Sequence, residues 1–191
     1  MMTKNITTFI NPFSLGIDLE TGNMPQATNH LVRRASDMKG YYMNEDALQE
    51  LINRDANPIH YEVFEFPVPE EYGHLMYCIS KLHPGKIGEE YFFTKGHYHK
   101  VEQTAEIYLC LKGEGYMLMK TNEGKCEAVR MERGQMVYVP PYWAHRSVNT
   151  GVIPLISFCV YPAEAGHNYG DILEQGFPRR IVEIENTVRI I

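Results

Sequence analysis

The sequence has no hydrophobic run long enough to cross a membrane. Its most apolar run, residues 152–161, is about half the length that a membrane-spanning helix needs. The first sixteen residues lack the uninterrupted apolar segment of a secretory signal. We therefore expect a cytoplasmic protein that has no membrane partner.

Positive charge is also scarce. The chain has 18 Lys and Arg residues against 24 Asp and Glu residues, a formal net charge of −6, and no block of like charge. Nucleic acids and anionic membranes are bound by basic surfaces. We therefore expect no nucleic-acid partner, and an anionic small molecule would have to be held by local groups.

The four cysteines have no CxxC pair and no spacing typical of a secreted disulfide framework. They are Cys78, Cys110, Cys126 and Cys159. Cys110 and Cys159 lie in apolar, strand-like runs, where free thiols pack as small hydrophobic groups. This usage indicates a reduced compartment.

Hydrophobic residues make up 44% of the 191 positions and charged residues 22%, an ordinary globular composition. We expect one domain, with an N-terminal arm and helix over residues 1–58 and a barrel with a C-terminal extension over 59–191. The stretch up to about residue 43 is expected to be irregular. Asn44 is a predicted N-cap for a helix over residues 45–53.

Short strands separated by glycine-rich turns dominate the chain from residue 59 onward. This pattern is typical of an all-β sandwich or barrel. The predicted strands start at Ile59 and continue over 75–82, 107–112, 116–120, 135–139, 155–161, 181–184 and 188–191.

Three separate segments carry groups that bind metals. His97 and His99 are two residues apart, so both imidazoles point to one side of an extended strand. Glu106 opens an apolar strand-like run, where an unpaired buried carboxylate would be very costly. His145 follows the turn that begins at Pro140. Together these ligands suit Fe²⁺, Mn²⁺, Ni²⁺ or Zn²⁺.

The two segments His97-x-His99-x6-Glu106-x6-Gly113 and Gly134-x5-Pro140-x4-His145-x3-Asn149 resemble the two cupin motifs. The spacer after His99 is longer than in most cupins, and Tyr142 stands where the second motif usually has a glycine. The resemblance implies a cupin fold, a double-stranded β-helix or jelly-roll barrel, in which the three histidines and the glutamate bind one divalent metal ion per subunit.

Narrower motifs resemble the cupin-type glucose-6-phosphate isomerases. They include Phe-Phe-Thr-Lys-Gly-His-Tyr-His, which ends at His99, and Tyr-Pro-Ala-Glu-Ala-Gly-His, which ends at His167. The resemblance implies a homodimer that interconverts glucose 6-phosphate and fructose 6-phosphate in glycolysis and gluconeogenesis, with Fe²⁺ as the first expectation for the metal.

This resemblance also implies roles for individual residues. The catalytic residues would be Glu106, His145 and Tyr161. Contacts to the phosphosugar would come from Thr94, Lys95, Gly96, Tyr161, His167, Ser80, Tyr61 and Tyr108. Other residues with functional side chains are interpreted as surface or packing residues, namely Arg33, Arg34, Lys112 and Trp143.

Two isomerisation routes stay open from the sequence. Either Glu106 removes a proton from C2 through a cis-enediol, or a hydride shifts directly between C1 and C2. Two other classes of protein also stay open, a cupin dioxygenase and a non-catalytic cupin that binds a sugar phosphate. The same machinery could also isomerise another phosphosugar, such as mannose 6-phosphate.

Overall fold

The computed structural model describes residues 8–191, so residues 1–7 of the expected N-terminal arm lie outside the described part. The division of the chain at residue 58 remains a prediction.

The described residues form fifteen strands, two α-helices and one 3-10 helix, Ala35–Met38, which confirms the all-β expectation. The helices are α1 (Glu45–Arg54) and α2 (Gly170–Gln175). The strands are β1 (Asn29–Arg34), β2 (Ile59–Glu65), β3 (Leu75–Leu82), β4 (Lys86–Ile87), β5 (Glu90–Tyr91), β6 (Tyr98–His99), β7 (Glu106–Lys112), β8 (Glu114–Lys120), β9 (Cys126–Glu132), β10 (Met136–Val139), β11 (Ala144–Asn149), β12 (Leu155–Pro162), β13 (His167–Asn168), β14 (Ile181–Ile184) and β15 (Thr187–Ile190).

Two antiparallel sheets form the barrel. The larger sheet has the strand order β1-β2-β3-β12-β7-β10, and the smaller has the order β11-β8-β9. A single hydrophobic cluster joins them, because it contains Leu82 and Val139 from the larger sheet and Met117 and Val148 from the smaller one. Two minor sheets, β13-β6 and β15-β14-β5-β4, flank this barrel.

The inner face of the larger sheet carries polar groups. In β7, Glu106, Tyr108 and Cys110 are buried, whereas Ile107 is 37% exposed. Side chains alternate between the two faces of a strand, so the apolar run after Glu106 places only every second residue inside. The inward positions are therefore those that carry chemistry.

Helix α1 begins as its sequence predicts. The Asn44 side chain accepts a hydrogen bond from the Ala47 backbone N–H at 2.9 Å, which caps the first turn. Leu48 and Leu51 bury one side of the helix. None of the helices in the described part of the chain is long and apolar enough to span a membrane.

The expectation of irregular structure up to residue 43 is wrong for residues 29–38. Strand β1 pairs antiparallel with β2 and forms an edge of the larger sheet. Strand β9, which pairs with β8, was also not predicted. Both strands lie at sheet edges and are largely exposed, so neither shows the apolar alternation by which strands are recognised.

Tyr142 has a backbone conformation that glycine adopts readily, which explains why a glycine is usual at this position of the motif. Its φ is +69°, in the left-handed region that a glycine enters without steric cost. The Tyr142 N–H donates to the Glu102 carbonyl at 2.8 Å. The chain therefore keeps the turn before His145 in spite of the substitution.

Asn149 holds the end of β11 through its side chain. The residue is fully buried. Its Nδ2 donates to the carbonyls of Leu82 at 3.0 Å and Ile153 at 2.9 Å, and its Oδ1 accepts from the Gly151 N–H at 2.9 Å. These bonds tie β11 to the end of β3 and to the turn before β12.

We predict that Asn149→Ala lowers the free energy of unfolding by about 3 kcal/mol, because it leaves several buried backbone groups without partners. Asn44→Ala, which removes only a helix cap, should cost about 1 kcal/mol. Urea unfolding of both variants checks this difference. Equal losses would contradict the role assigned to Asn149.

Candidate active site

His97 and His145 lie on two backbone segments that pair with each other. The His97 N–H donates to the His145 carbonyl at 3.2 Å, and the His145 N–H donates to the His97 carbonyl at 3.1 Å. His99 lies two residues further on, in β6, and therefore points to the same side as His97. The backbone thus brings three imidazoles together.

The carboxylate of Glu106 completes the cluster. One potential ligand atom from each of His97, His99, Glu106 and His145 lies within 4.8 Å of the other three. The Glu106 Oε2 is 3.1 Å from His99 Nε2 and 3.0 Å from His145 Nε2. His99, Glu106 and His145 are at most 5% exposed. We call these four residues the metal cluster.

Thr104 sets the orientation of one imidazole. Its hydroxyl donates to the Val101 carbonyl at 2.6 Å, so its oxygen accepts the hydrogen bond from His99 Nδ1 at 2.8 Å. The His99 proton therefore lies on Nδ1, and the lone pair of Nε2 points at Glu106. Metal-binding histidines in proteins are oriented in the same way.

The electrostatics of the cluster suit a cation. Burial and the neighbouring His145 hold the pKa of His97 well below its usual value, so its imidazole is neutral and able to act as a ligand. Burial alone would raise the pKa of Glu106, but the neighbouring imidazoles, His145 first among them, lower it below its usual range. His97 Nε2 is buried without a hydrogen-bond partner. These donors fit a divalent metal ion.

A pocket opens on the metal cluster from the inner face of the larger sheet. It encloses about 640 Å³ including its open mouth. Strands β2, β3, β7 and β12 each contribute inward side chains. Its lining comprises Leu31, Tyr61, Val63, Glu65, Cys78, Ser80, Thr94, Gly96, His97, Glu106, Tyr108, Ser147, Cys159, Tyr161, His167 and Tyr169.

The loop before His97 has the features of an anion cradle. The Thr94 hydroxyl oxygen accepts from the Ser147 N–H at 3.1 Å, which leaves its proton for another acceptor. Gly96 has a φ of +78°, and a Cβ there would lie 2.9 Å from the His145 carbonyl oxygen. Only glycine therefore fits at this position.

The Lys95 side chain is placed differently from the other residues of this loop. Its ammonium group lies 5.1 Å from the centre of the Tyr41 ring, and the residue does not line the pocket. Burial, followed by the charge of Arg33, lowers the pKa of Lys95.

Arg33, expected to be a surface or packing residue, lies beside the pocket. It pairs with Tyr61 in the β1–β2 register, and it lies on the same strand face as the pocket residue Leu31. Burial raises the pKa of Tyr61 to about 12, and the Arg33 charge opposes that rise. The Arg33 Nε is buried without a hydrogen-bond partner.

Comparison with known proteins identifies the family. The model of the family described as "Glucose-6-phosphate isomerase (GPI)" matches residues 32–190. The chain belongs to the glucose-6-phosphate isomerase family. It is 50% identical to the glucose-6-phosphate isomerase of Thermococcus onnurineus and 49% identical to that of Thermococcus gammatolerans, in each case over 94% of both chains.

More distant matches were also found. The chain is 39% identical to the putative glucose-6-phosphate isomerase 1 of Rhizobium meliloti, over 93% of this chain and 84% of that one. An oxalate oxidase structure matches 59% of this chain and 56% of its own, at 16% identity and a TM-score of 0.48. The prediction of an isomerase of this family is confirmed.

Seven of the eight residues expected to contact the sugar in this isomerase line the pocket, and Lys95 is the exception. Three residues at the site were not predicted from the sequence, namely Thr104, Arg33 and Tyr169. The Tyr169 ring stacks on that of His167, with centroids 5.8 Å apart, and its place two residues after that histidine was the available signal. Nothing in the sequence near Thr104 distinguishes it from an ordinary loop threonine.

We predict that Thr104→Val weakens the affinity for divalent metal about tenfold, because His99 Nδ1 loses its shorter hydrogen bond and keeps only the one to the Thr104 carbonyl at 3.2 Å. Thr104→Ser, which keeps the hydroxyl, should bind as the unmodified chain does. Calorimetric titration with Mn²⁺ measures both. Unchanged affinity in the valine variant would contradict the positioning role.

Proposed function

We propose that this protein is a metal-dependent aldose–ketose isomerase that interconverts glucose 6-phosphate and fructose 6-phosphate. The observation that carries the proposal is that one pocket is lined both by the metal cluster residues His97 and Glu106 and by the anion cradle of Thr94 and Gly96. Family membership supports the same substrate pair.

The resident cofactor is proposed to be one divalent ion per subunit, held by His97, His99, Glu106 and His145. Imidazole and carboxylate donors without thiolate suit Fe²⁺, our first choice, as well as Mn²⁺, Ni²⁺ or Zn²⁺. When bound, such an ion supplies Lewis-acid stabilisation of the negative charge that develops on the sugar oxygens.

Glu106 is proposed to act as the base of the enediol route. Its lowered pKa keeps the carboxylate ionised at neutral pH, so it can accept a proton from the sugar. In contrast, burial raises the pKa of the phenols of Tyr161 and Tyr108. Both hydroxyls therefore stay protonated and can donate hydrogen bonds to sugar oxygens. The Tyr108 hydroxyl also lies 3.1 Å from Nε2 of His145, the third proposed catalytic residue.

The phosphate is proposed to lie against Thr94, whose hydroxyl proton is available, and against the backbone at Gly96, which lines the pocket. Arg33 adds a positive charge and a buried N–H group without a partner. Phosphate binds arginine strongly because the hydrogen bonds are charge-assisted. Ser80, Tyr61 and His167 are proposed to contact the rest of the substrate, and Lys95 to contribute charge from outside the pocket lining.

We further propose a homodimer that works in glycolysis and gluconeogenesis in the cytoplasm. The four cysteines are all free, as expected in a reducing compartment. The dimer and the pathway are inferred from the family resemblance. An anion cradle has no role in a cupin dioxygenase. An isomerase converts fructose 6-phosphate to glucose 6-phosphate, whereas a dioxygenase or a non-catalytic binding protein does not.

The first experiment is turnover by the full-length chain loaded with Fe²⁺ or Mn²⁺. We predict conversion of fructose 6-phosphate to glucose 6-phosphate in a coupled dehydrogenase assay. Glu106→Gln should lower kcat about 10³-fold, since it removes the proposed base, while retaining part of the metal. His97→Ala should lose metal and turnover together, and His30→Ala, outside the metal cluster, should lose neither. Absence of turnover across a metal series, with metal shown to be bound, would refute the isomerase proposal.

The neighbouring arginines provide a matched test of the phosphate contact. We predict that Arg33→Gln raises the KM for fructose 6-phosphate about tenfold and leaves kcat nearly unchanged, because it removes a charge-assisted hydrogen bond. Arg34→Gln should change neither constant, since Arg34 is exposed and donates to the Asn57 carbonyl. Equal effects of the two changes on KM would contradict a specific role for Arg33.

A further inference from the structure

A second polar cavity lies next to the residue 94–96 loop but outside the catalytic pocket. It encloses about 410 Å³ including its mouth, and it shares no lining residue with the catalytic pocket. Its lining comprises Gly40, Tyr41, Arg146, Ile172, Leu173, Glu174, Gln175, Gly176 and Arg180. We call it the arginine cavity.

Arg146 is buried at this cavity with incomplete hydrogen bonding. The residue is 2% exposed, and its guanidinium lies between the rings of Phe93 and Phe177, at 4.3 and 4.2 Å from their centres. Its Nη2 donates to the Lys95 carbonyl at 3.0 Å. Its Nε is buried without a partner, so one edge of the guanidinium lacks an acceptor.

Charge is also unbalanced here. Among the described residues, no carboxylate lies within ion-pair distance of Arg146, whereas Arg180 donates to Glu90 Oε1 at 2.8 Å. The other Glu90 oxygen accepts from the Met43 N–H at 3.2 Å. Glu90 is therefore occupied by Arg180 and by the backbone, which leaves Arg146 without a carboxylate partner among the described residues. The cavity's own acid, Glu174, is exposed.

A buried charge is costly unless it is paired. We propose that the arginine cavity is a second anion site, which binds inorganic phosphate or a small phosphate monoester between Arg146 and Arg180. Guanidinium groups match the oxygens of a tetrahedral oxyanion through paired, charge-assisted hydrogen bonds. The rings of Phe93 and Phe177 pack against the Arg146 guanidinium and fix its orientation. A ligand can therefore reach only the edge of the guanidinium.

This site differs from the proposed substrate phosphate site, which lies on the pocket side of the same loop. The Arg146 bond to the Lys95 carbonyl connects the two sites. If an anion at the arginine cavity alters this bond, the affinities of the two sites must change reciprocally.

The decisive test is crystallographic. Crystals of the metal-loaded chain soaked in tungstate, a heavy analogue of phosphate, should show an anomalous peak between Arg146 and Arg180. The peak should be present in Arg33→Gln as well, because Arg33 lies at the catalytic pocket. A peak in the catalytic pocket alone would overturn the proposal. Neither result depends on turnover, so failure here is distinct from failure of the isomerase proposal.

Two substitutions of exposed residues in the cavity wall test the site in solution and leave Arg146 and Arg180 unchanged. Gln175→Glu adds a negative charge to the cavity wall and Glu174→Gln removes one. Equilibrium dialysis with radiolabelled inorganic phosphate should show about threefold weaker binding in the first and about threefold tighter binding in the second. Arg180→Gln should remove one phosphate equivalent per chain. Unchanged binding in all three variants would refute the site.

Discussion

Three imidazoles and one carboxylate converge in the interior of the barrel, and the rest of the site depends on this arrangement. Imidazole nitrogens and an ionised carboxylate that converge on one point attract a cation. The structure supports the arrangement from outside, through the opposed backbone bonds of His97 and His145 and through the Thr104 hydroxyl behind His99. The barrel thus gives a metal ion a set of oriented donors.

The inner face of the larger sheet supplies Glu106 and much of the pocket wall. Alternation along β7 places Glu106 and Tyr108 inside and Ile107 outside, and β12 places Cys159 and Tyr161 in the same row. The hydrophobic core includes Tyr108, Cys159 and Tyr161 and continues into the rest of the barrel interior, where Met117 and similar residues join the two sheets. The pocket wall is therefore part of the core that stabilises the fold.

Local positive charge compensates for an acidic chain. The formal net charge of −6 does not favour a phosphorylated ligand, but Arg33, Lys95, Arg146 and Arg180 are gathered on the side of the barrel that carries the residue 94–96 loop. In the sequence these four residues are scattered among ordinary surface positions. Arg146 is buried and the other three are partly buried, which makes their charges more effective because charges interact more strongly where water is excluded.

The sequence by itself determined the all-β class, the capped helix α1 and the identity of the four metal-cluster residues, because strand alternation, caps and motif spacings are local patterns. It could not reveal the edge strand β1, Arg33 beside the pocket or Thr104 behind His99. Each of these depends on contacts between segments distant in sequence or on the path of a loop. Only the tertiary structure decided which of two adjacent arginines faces the pocket, because the β1–β2 register sets which side of the sheet each one occupies.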